Sequence, residues 1–185
     1  SATPDDTDEF LVSDAGTIKR VDYSLIKGGG ITMAQQWRLS ADFTGNADPI
    51  ASNLEIVDTY GYGTLGSDMT ESSGVFTFPS TGYYLIMAHH YIKNTNFERG
   101  ATMNLNVTTD GSNFNNAGQS IASVSPSSSA NTSNTSIMKY ILDVTDTSTH
   151  KVSFSVNVVT TGSTKTAGDT NFSETTFTFI RLGDT

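Results

Sequence analysis

The chain has 185 residues, no cysteine and a net charge of −9. Lack of cysteine removes disulfides, thiolate metal sites and thiol nucleophiles, and so acidic a balance argues against a surface that tracks nucleic-acid phosphates. No apolar run approaches the roughly 20 residues of a membrane-spanning helix, and Ser1 opens no charged-then-apolar leader, so neither membrane insertion nor a secretory leader is expected.

Residues 1–30 read as an arm. Ser1 to Glu9 is acidic and reads as a solvated end. Phe10-Leu11-Val12 and Ile18 to Tyr23 flank Ser13-Asp14-Ala15-Gly16-Thr17, whose turn chemistry predicts a short hairpin. An isolated hairpin is marginal in water. Phe10, Leu11, Val12, Ile18 and Val21 are therefore candidates for attachment to a larger body, whether the chain's own domain, a sister chain or another particle. Gly28-Gly29-Gly30 supplies a flexible joint. Residues 31–185 then form one head domain, long enough to bury a sizeable core.

From Ile31 onward the pattern is one of strands. Trp37, Leu39, Ala41 and Phe43 alternate with polar residues, and Thr59 to Ser73 reads as a Gly-punctuated loop. Gly74-Val-Phe-Thr-Phe-Pro-Ser-Thr-Gly-Tyr-Tyr-Leu-Ile-Met-Ala-His-His-Tyr-Ile92 is the longest nearly unbroken apolar run, split by Pro79 to Gly82 into two strands that the turn chemistry predicts to form a tight hairpin. In the second strand both the odd and the even positions are largely apolar, whereas a strand with one wet face alternates. One face meets the core and the other needs a cover, most simply another copy of the chain. Met103 to Val107, Ile137 to Val144, Val152 to Val158 and Thr175 to Leu182 complete the strands. Ser112 to Ser136 reads as a long Ser/Asn-rich excursion, and Thr160 to Asn171 as a loop. No window carries a helical stripe. Many short strands with long loops predict an all-β, antiparallel sandwich.

Chemistry-bearing motifs are sparse. His89 and His90 are adjacent on a strand and point to opposite faces, and His150 reads as a loop residue, so no shared metal site is expected. No nucleophile elbow, phosphate-cradling glycine loop or His-Glu-x-x-His occurs. No catalytic residue, cofactor or metal is assigned, although Asp143, Asp146 and Asp169 could converge on calcium or on glycoside cleavage if the fold brought them together. Tyr60, Tyr62, Phe97 and Phe114 lie among Gly, Asn and Ser, the composition of adaptable binding loops, and are candidates for ligand contact or for capping the sandwich.

Gly74-Val-Phe-Thr-Phe-Pro-Ser-Thr-Gly-Tyr-Tyr, Ile137 to Val158 and Phe172-Ser-Glu-Thr-Thr-Phe-Thr-Phe-Ile-Arg-Leu182 resemble the central hairpin, paired strands and closing strand of the trimeric jelly-roll family that includes the complement-one-q head and the tumour necrosis factors. The match departs at Thr178, where the complement branch has Gly, and Asp143-Val-Thr-Asp146 fits only loosely. The resemblance implies a jelly-roll homotrimer with Leu85, Met87 and His89 at the axis and Ile180 and Leu182 beside them; the opposite phase, with Tyr84 and Ile86 at the axis, stays open. Separately, Asp8 to Ile26 resembles a short module of bacteriophage tail-fibre and other virion proteins. Together these imply a non-enzymatic virion protein. Its partners would be itself, other virion proteins through the arm, and a host-surface glycan or protein through the head. A capsid decoration protein that stabilises the shell and a secreted complement-like lectin or ligand are the alternatives.

Overall fold

The computed structural model describes residues 4–5, 7–23, 30–94, 96–126 and 132–185, so Gly28 and Gly29 of the expected joint lie outside the described residues. The chain divides into two compact units, residues 1–30 and 31–185.

The first unit is a hairpin of β1 (Glu9–Asp14) and β2 (Thr17–Asp22), with Phe10 opposite Val21 and Val12 opposite Lys19. Its two-residue turn places Ala15 and Gly16 at φ of 49° and 85°, the positive pair whose twist matches the flanking strands. Phe10 packs its ring 5.8 Å from that of Tyr23, while Leu11 and Ile18 stand in solvent.

The second unit is a jelly-roll sandwich of two antiparallel sheets. The first sheet runs β10 (Asn115–Val124), β9 (Glu98–Thr108), β12 (Lys151–Asn157), β7 (Val75–Thr77), β6 (Thr70–Ser72). The second runs β4 (Ala41–Thr44), β13 (Lys165–Asp169), β8 (Gly82–Asn94), β14 (Thr176–Gly183), β3 (Met33–Leu39), β5 (Leu54–Ile56), with β11 (Thr132–Val144) along the other side of β8. The core between them centres on aromatic rings. Phe154 lies 4.3 Å from Phe177, and Phe76 lies 5.2 Å from Phe179 and 5.3 Å, edge-on, from Trp37. Offset and edge-to-face pairs of this kind add stabilisation beyond their buried area.

On β8 the phase is unambiguous. Tyr84, Ile86, Ala88, His90 and Ile92 are buried in the sandwich, and Leu85, Met87, His89 and Tyr91 point the other way. Three stretches read from sequence as loops contain strands: β10 lies within 112–136, β13 within 160–171 and β6 within 59–73.

The long crossovers are clipped by charge buried under hydrogen bonds. Glu98 at the start of β9 is fully buried and accepts hydrogen bonds from Gly100 N–H (3.0 Å), Val159 N–H (3.1 Å), Thr160 N–H (2.8 Å) and the Thr164 hydroxyl (2.6 Å). Burial by itself would raise its pKa, but these donors outweigh it and hold the carboxylate below its ordinary range.

Candidate functional site

The two outward sheet faces differ sharply in chemistry, and registry shows how. On the outside of the β8 sheet, Leu85 sits between Ile180 of β14 and Ile141 of β11, and Met87 sits between Thr178 and Lys139. His89 lies between Thr176 and Ile137. Leu182 occupies a bulge in β14 opposite the start of β8, beside Tyr83. Ile137 and Ile141 are about 60% exposed, with Tyr83 and Leu182 above 40%. The result is a largely apolar strip along β14, β8 and β11 that the sandwich does not cover, with two charged residues of β11 on the same face: Lys139, able to lay its alkyl stem across the strip, and Asp143 at its end opposite Tyr83.

On β3 the same face is closed. Arg38 is fully buried there, donating to Glu55 (2.7 Å), Asp58 (2.8 Å), the Thr59 hydroxyl (2.9 Å) and the Thr170 carbonyl. The apolar strip is thus bounded on one side by a buried guanidinium network.

On the outside of the other sheet most side chains are amides and hydroxyls, with Ile121, Val75 and Lys151 among them. Asn104 and Asn106 both donate to the Ser155 hydroxyl, at 3.3 and 3.1 Å, and Asn116 donates to Asn104 at 2.9 Å. This face satisfies itself and needs no partner.

The residues expected to line an interface, Leu85, Met87, His89, Ile180 and Leu182, come together on the apolar strip. Ile137, Ile141 and Tyr83 join them, and sequence reasoning did not assign them. Their signal was present in Ile137 to Leu142, where apolar residues occupy both strand phases as they do in β8.

The four aromatic loop candidates do not converge. Phe97 follows β8 at one end of the sandwich and Phe114 precedes β10 at the other. Tyr60 is 91% exposed, at φ 55°, whereas the Tyr62 hydroxyl accepts the Gln36 N–H at 2.6 Å and ties its loop to β3. Nor do the acidic candidates meet. Asp143 is opposite Tyr83 at the start of β8, while β13, which ends at Asp169, joins β8 at Ile92 near its far end. Asp146 spends its carboxylate on the Ser148 N–H and hydroxyl, which hold its pKa below the usual range. Among the described residues no three His, Asp or Glu side chains cluster as a metal site.

The histidines occupy three settings. His89 Nδ1–H donates to the Glu174 carbonyl (2.7 Å) at the edge of a recess of about 330 Å³ shared with Tyr91 and Phe172. His90 is fully buried and hydrogen-bonded through Nε2 to the Thr166 hydroxyl (3.1 Å). His150 is buried against the Asp146 carbonyl.

No protein-family model matches the chain, and no curated protein matches it. Solved structures do. Eiger TNF from S. frugiperda is similar over 84% of this chain and 96% of its own, with a TM-score of 0.59 at 12% identity. Murine APRIL at pH 5.0 is similar over 81% of this chain and 98% of its own, with a TM-score of 0.55 at 9% identity. The head therefore has the jelly-roll fold of tumour-necrosis-factor-like proteins.

Proposed function

We propose that this chain is a non-enzymatic recognition protein whose head, residues 31–185, assembles as a homotrimer and is displayed on the residue 1–30 arm. The observation that carries the reading is the contrast between the two outward sheet faces: one a self-satisfied ladder of Asn and Ser, the other a strip of Tyr83, Leu85, Met87, Ile137, Ile141, Ile180 and Leu182. Apolar strips of this extent on a soluble domain mark interfaces, and copies of one chain meet most simply by closed symmetry. The tumour-necrosis-factor-like fold supports the same assembly.

Within this reading the chain serves a bacteriophage virion as a fibre or knob head that contacts the host surface. Support comes from the resemblance of Asp8 to Ile26 to virion modules, and from an arm hairpin that exposes Phe10, Leu11 and Ile18 with no core of its own. A second reading, a secreted ligand of tumour-necrosis-factor-like type, is favoured by the structural neighbours.

Sedimentation velocity tests the assembly. The wild type is expected to sediment as a trimer at micromolar concentration, and Leu85→Asp, placing a charge at the centre of the strip, as a folded monomer. A wild-type monomer would overturn the proposal. Immunogold labelling of particles separates the two contexts: label on projecting fibres supports the virion, and unlabelled particles favour the secreted ligand.

A further inference from the structure

On the polar outward face, away from the apolar strip, one aromatic residue breaks the pattern. Phe114, 37% exposed, lines two adjoining recesses of that face together with Val75. The first, about 330 Å³, is walled by Thr70, Ser72, Thr77, Glu71 and Lys151; the second, about 250 Å³, by Asn106, Ser153, Asp48 and Pro49. Both have Phe114 and Val75 as a shared wall. Each is near the lower end of the about 300–1,000 Å³ typical of small-molecule sites, so each suits a single small ring.

The backbone leading to the ring is held in place. The turn that carries it is organised by Asp110, whose carboxylate accepts from Ser112 N–H (2.9 Å), Asn113 N–H (2.8 Å), the Asn113 amide (2.7 Å) and the Thr108 hydroxyl (2.9 Å). These donors hold its pKa well below the ordinary carboxylate range, so the turn keeps its shape through neutral and mildly acidic pH. A preorganised ring loses little freedom on binding. Below it, Thr70, Thr77 and Lys151 form one cross-strand row and Ser72, Val75, Ser153 and Asn106 the next. Hydroxyls, an amide and an ammonium thus surround an apolar ring face.

We propose that this is a binding site for a neutral oligosaccharide, one sugar ring on each side of Phe114. A pyranose has an apolar C–H face that packs on an aromatic ring and an equatorial rim of hydroxyls that needs both donors and acceptors, and the two recesses offer this combination. Charge selects among sugars. Glu71 and Asp48 outnumber Lys151 around the recesses on a chain of net charge −9, which disfavours sialic and uronic acids. The site faces away from the apolar strip and stays open in the assembled head. The proposal rests on the recognition-head reading and names its ligand class.

Saturation-transfer NMR on the full chain tests it, with lactose, chitobiose and maltose as neutral probes and sialyllactose as an acidic one, alongside sedimentation of the same samples. Transfer is expected to at least one neutral disaccharide, with affinity at least tenfold lower in Phe114→Ala and lost in Ser72→Trp, which fills the first recess and leaves Phe114 itself in place. Sialyllactose is expected to bind more weakly than lactose. Both variants should keep the wild-type melting temperature and sedimentation coefficient. A trimeric wild type that transfers to none of the neutral probes, or a Phe114→Ala protein that binds as the wild type does, overturns the sugar site and leaves the recognition head standing. A monomer that still transfers overturns the trimeric head and leaves the sugar site.

Discussion

His90 is a fully buried imidazole whose Nδ1 has no hydrogen-bond partner among the described residues. Burial, with a smaller contribution from neighbouring His89, pulls its pKa down to about 4. An unfolded histidine titrates near 6.5, so as pH falls the unfolded chain takes up this proton before the folded chain does. The stability tied to His90 is complete above about pH 6.5 and is lost progressively toward pH 4, by about 3 kcal/mol over that interval. Melting temperature followed from pH 7 to 4 is expected to fall more steeply in the wild type than in His90→Gln, and parallel curves would refute the assignment. Nothing in the sequence distinguished His90 from His89 chemically. Only their opposite directions on a strand were legible, and those follow from the period of two alone.

At the level of strands, β8 was legible because apolar residues fill both of its phases, and β14 because Phe177 and Phe179 alternate with threonines. The turn at Pro79 to Gly82 was legible too, but it is a corner between the sheets and not the expected hairpin, since β7 pairs with β12 and β6 while β8 pairs with β14, β11 and β13. β10 and β13 were hidden for packing reasons. The inward residues of β10 are Ser120, Ala122 and Val124, with no large side chain among them, and a Cβ on Gly118 would come within 3.2 Å of the Met138 sulfur. β13 carries Gly168 where a Cβ would meet the Leu39 side chain at 2.6 Å, so a position in a packed strand has the composition of a loop. Where room is short, the apolar alternation that announces a strand is suppressed. The aromatic centre has the opposite property. Phe154 is 1% exposed and packs against Phe76 of its own sheet and Phe177 and Phe179 of the other, so Phe154→Ala should lower unfolding free energy by about 3–5 kcal/mol in denaturant titration. A loss below about 1 kcal/mol would mean that the rings collapse into the space.

At the level of the whole molecule, the division at Gly30 makes a simple prediction. The head holds its own core and both sheets of the sandwich, whereas among the described residues the arm is a two-stranded hairpin with no core residue. A chain starting at Ile31 is therefore expected to keep the melting temperature of the full chain by calorimetry and to lose only attachment; a large drop would show that the arm is part of the folded body. The candidate site was half legible. Leu85, Met87, His89, Ile180 and Leu182 were assigned from the two-sided strand and the family resemblance. The aromatic loops could not be sorted from sequence, because whether Tyr62 or Phe114 faces solvent depends on partners far along the chain, such as Gln36 and Val75.

The ladder of Asn104, Asn106, Asn116 and Ser155 has one more effect. With the Asn104 amide and the Ser155 hydroxyl taken up inside the ladder, that side offers an approaching copy few groups to bind, and the apolar strip lies on the other side. In the trimer proposed above the strips meet only one another, and growth stops where the ring closes.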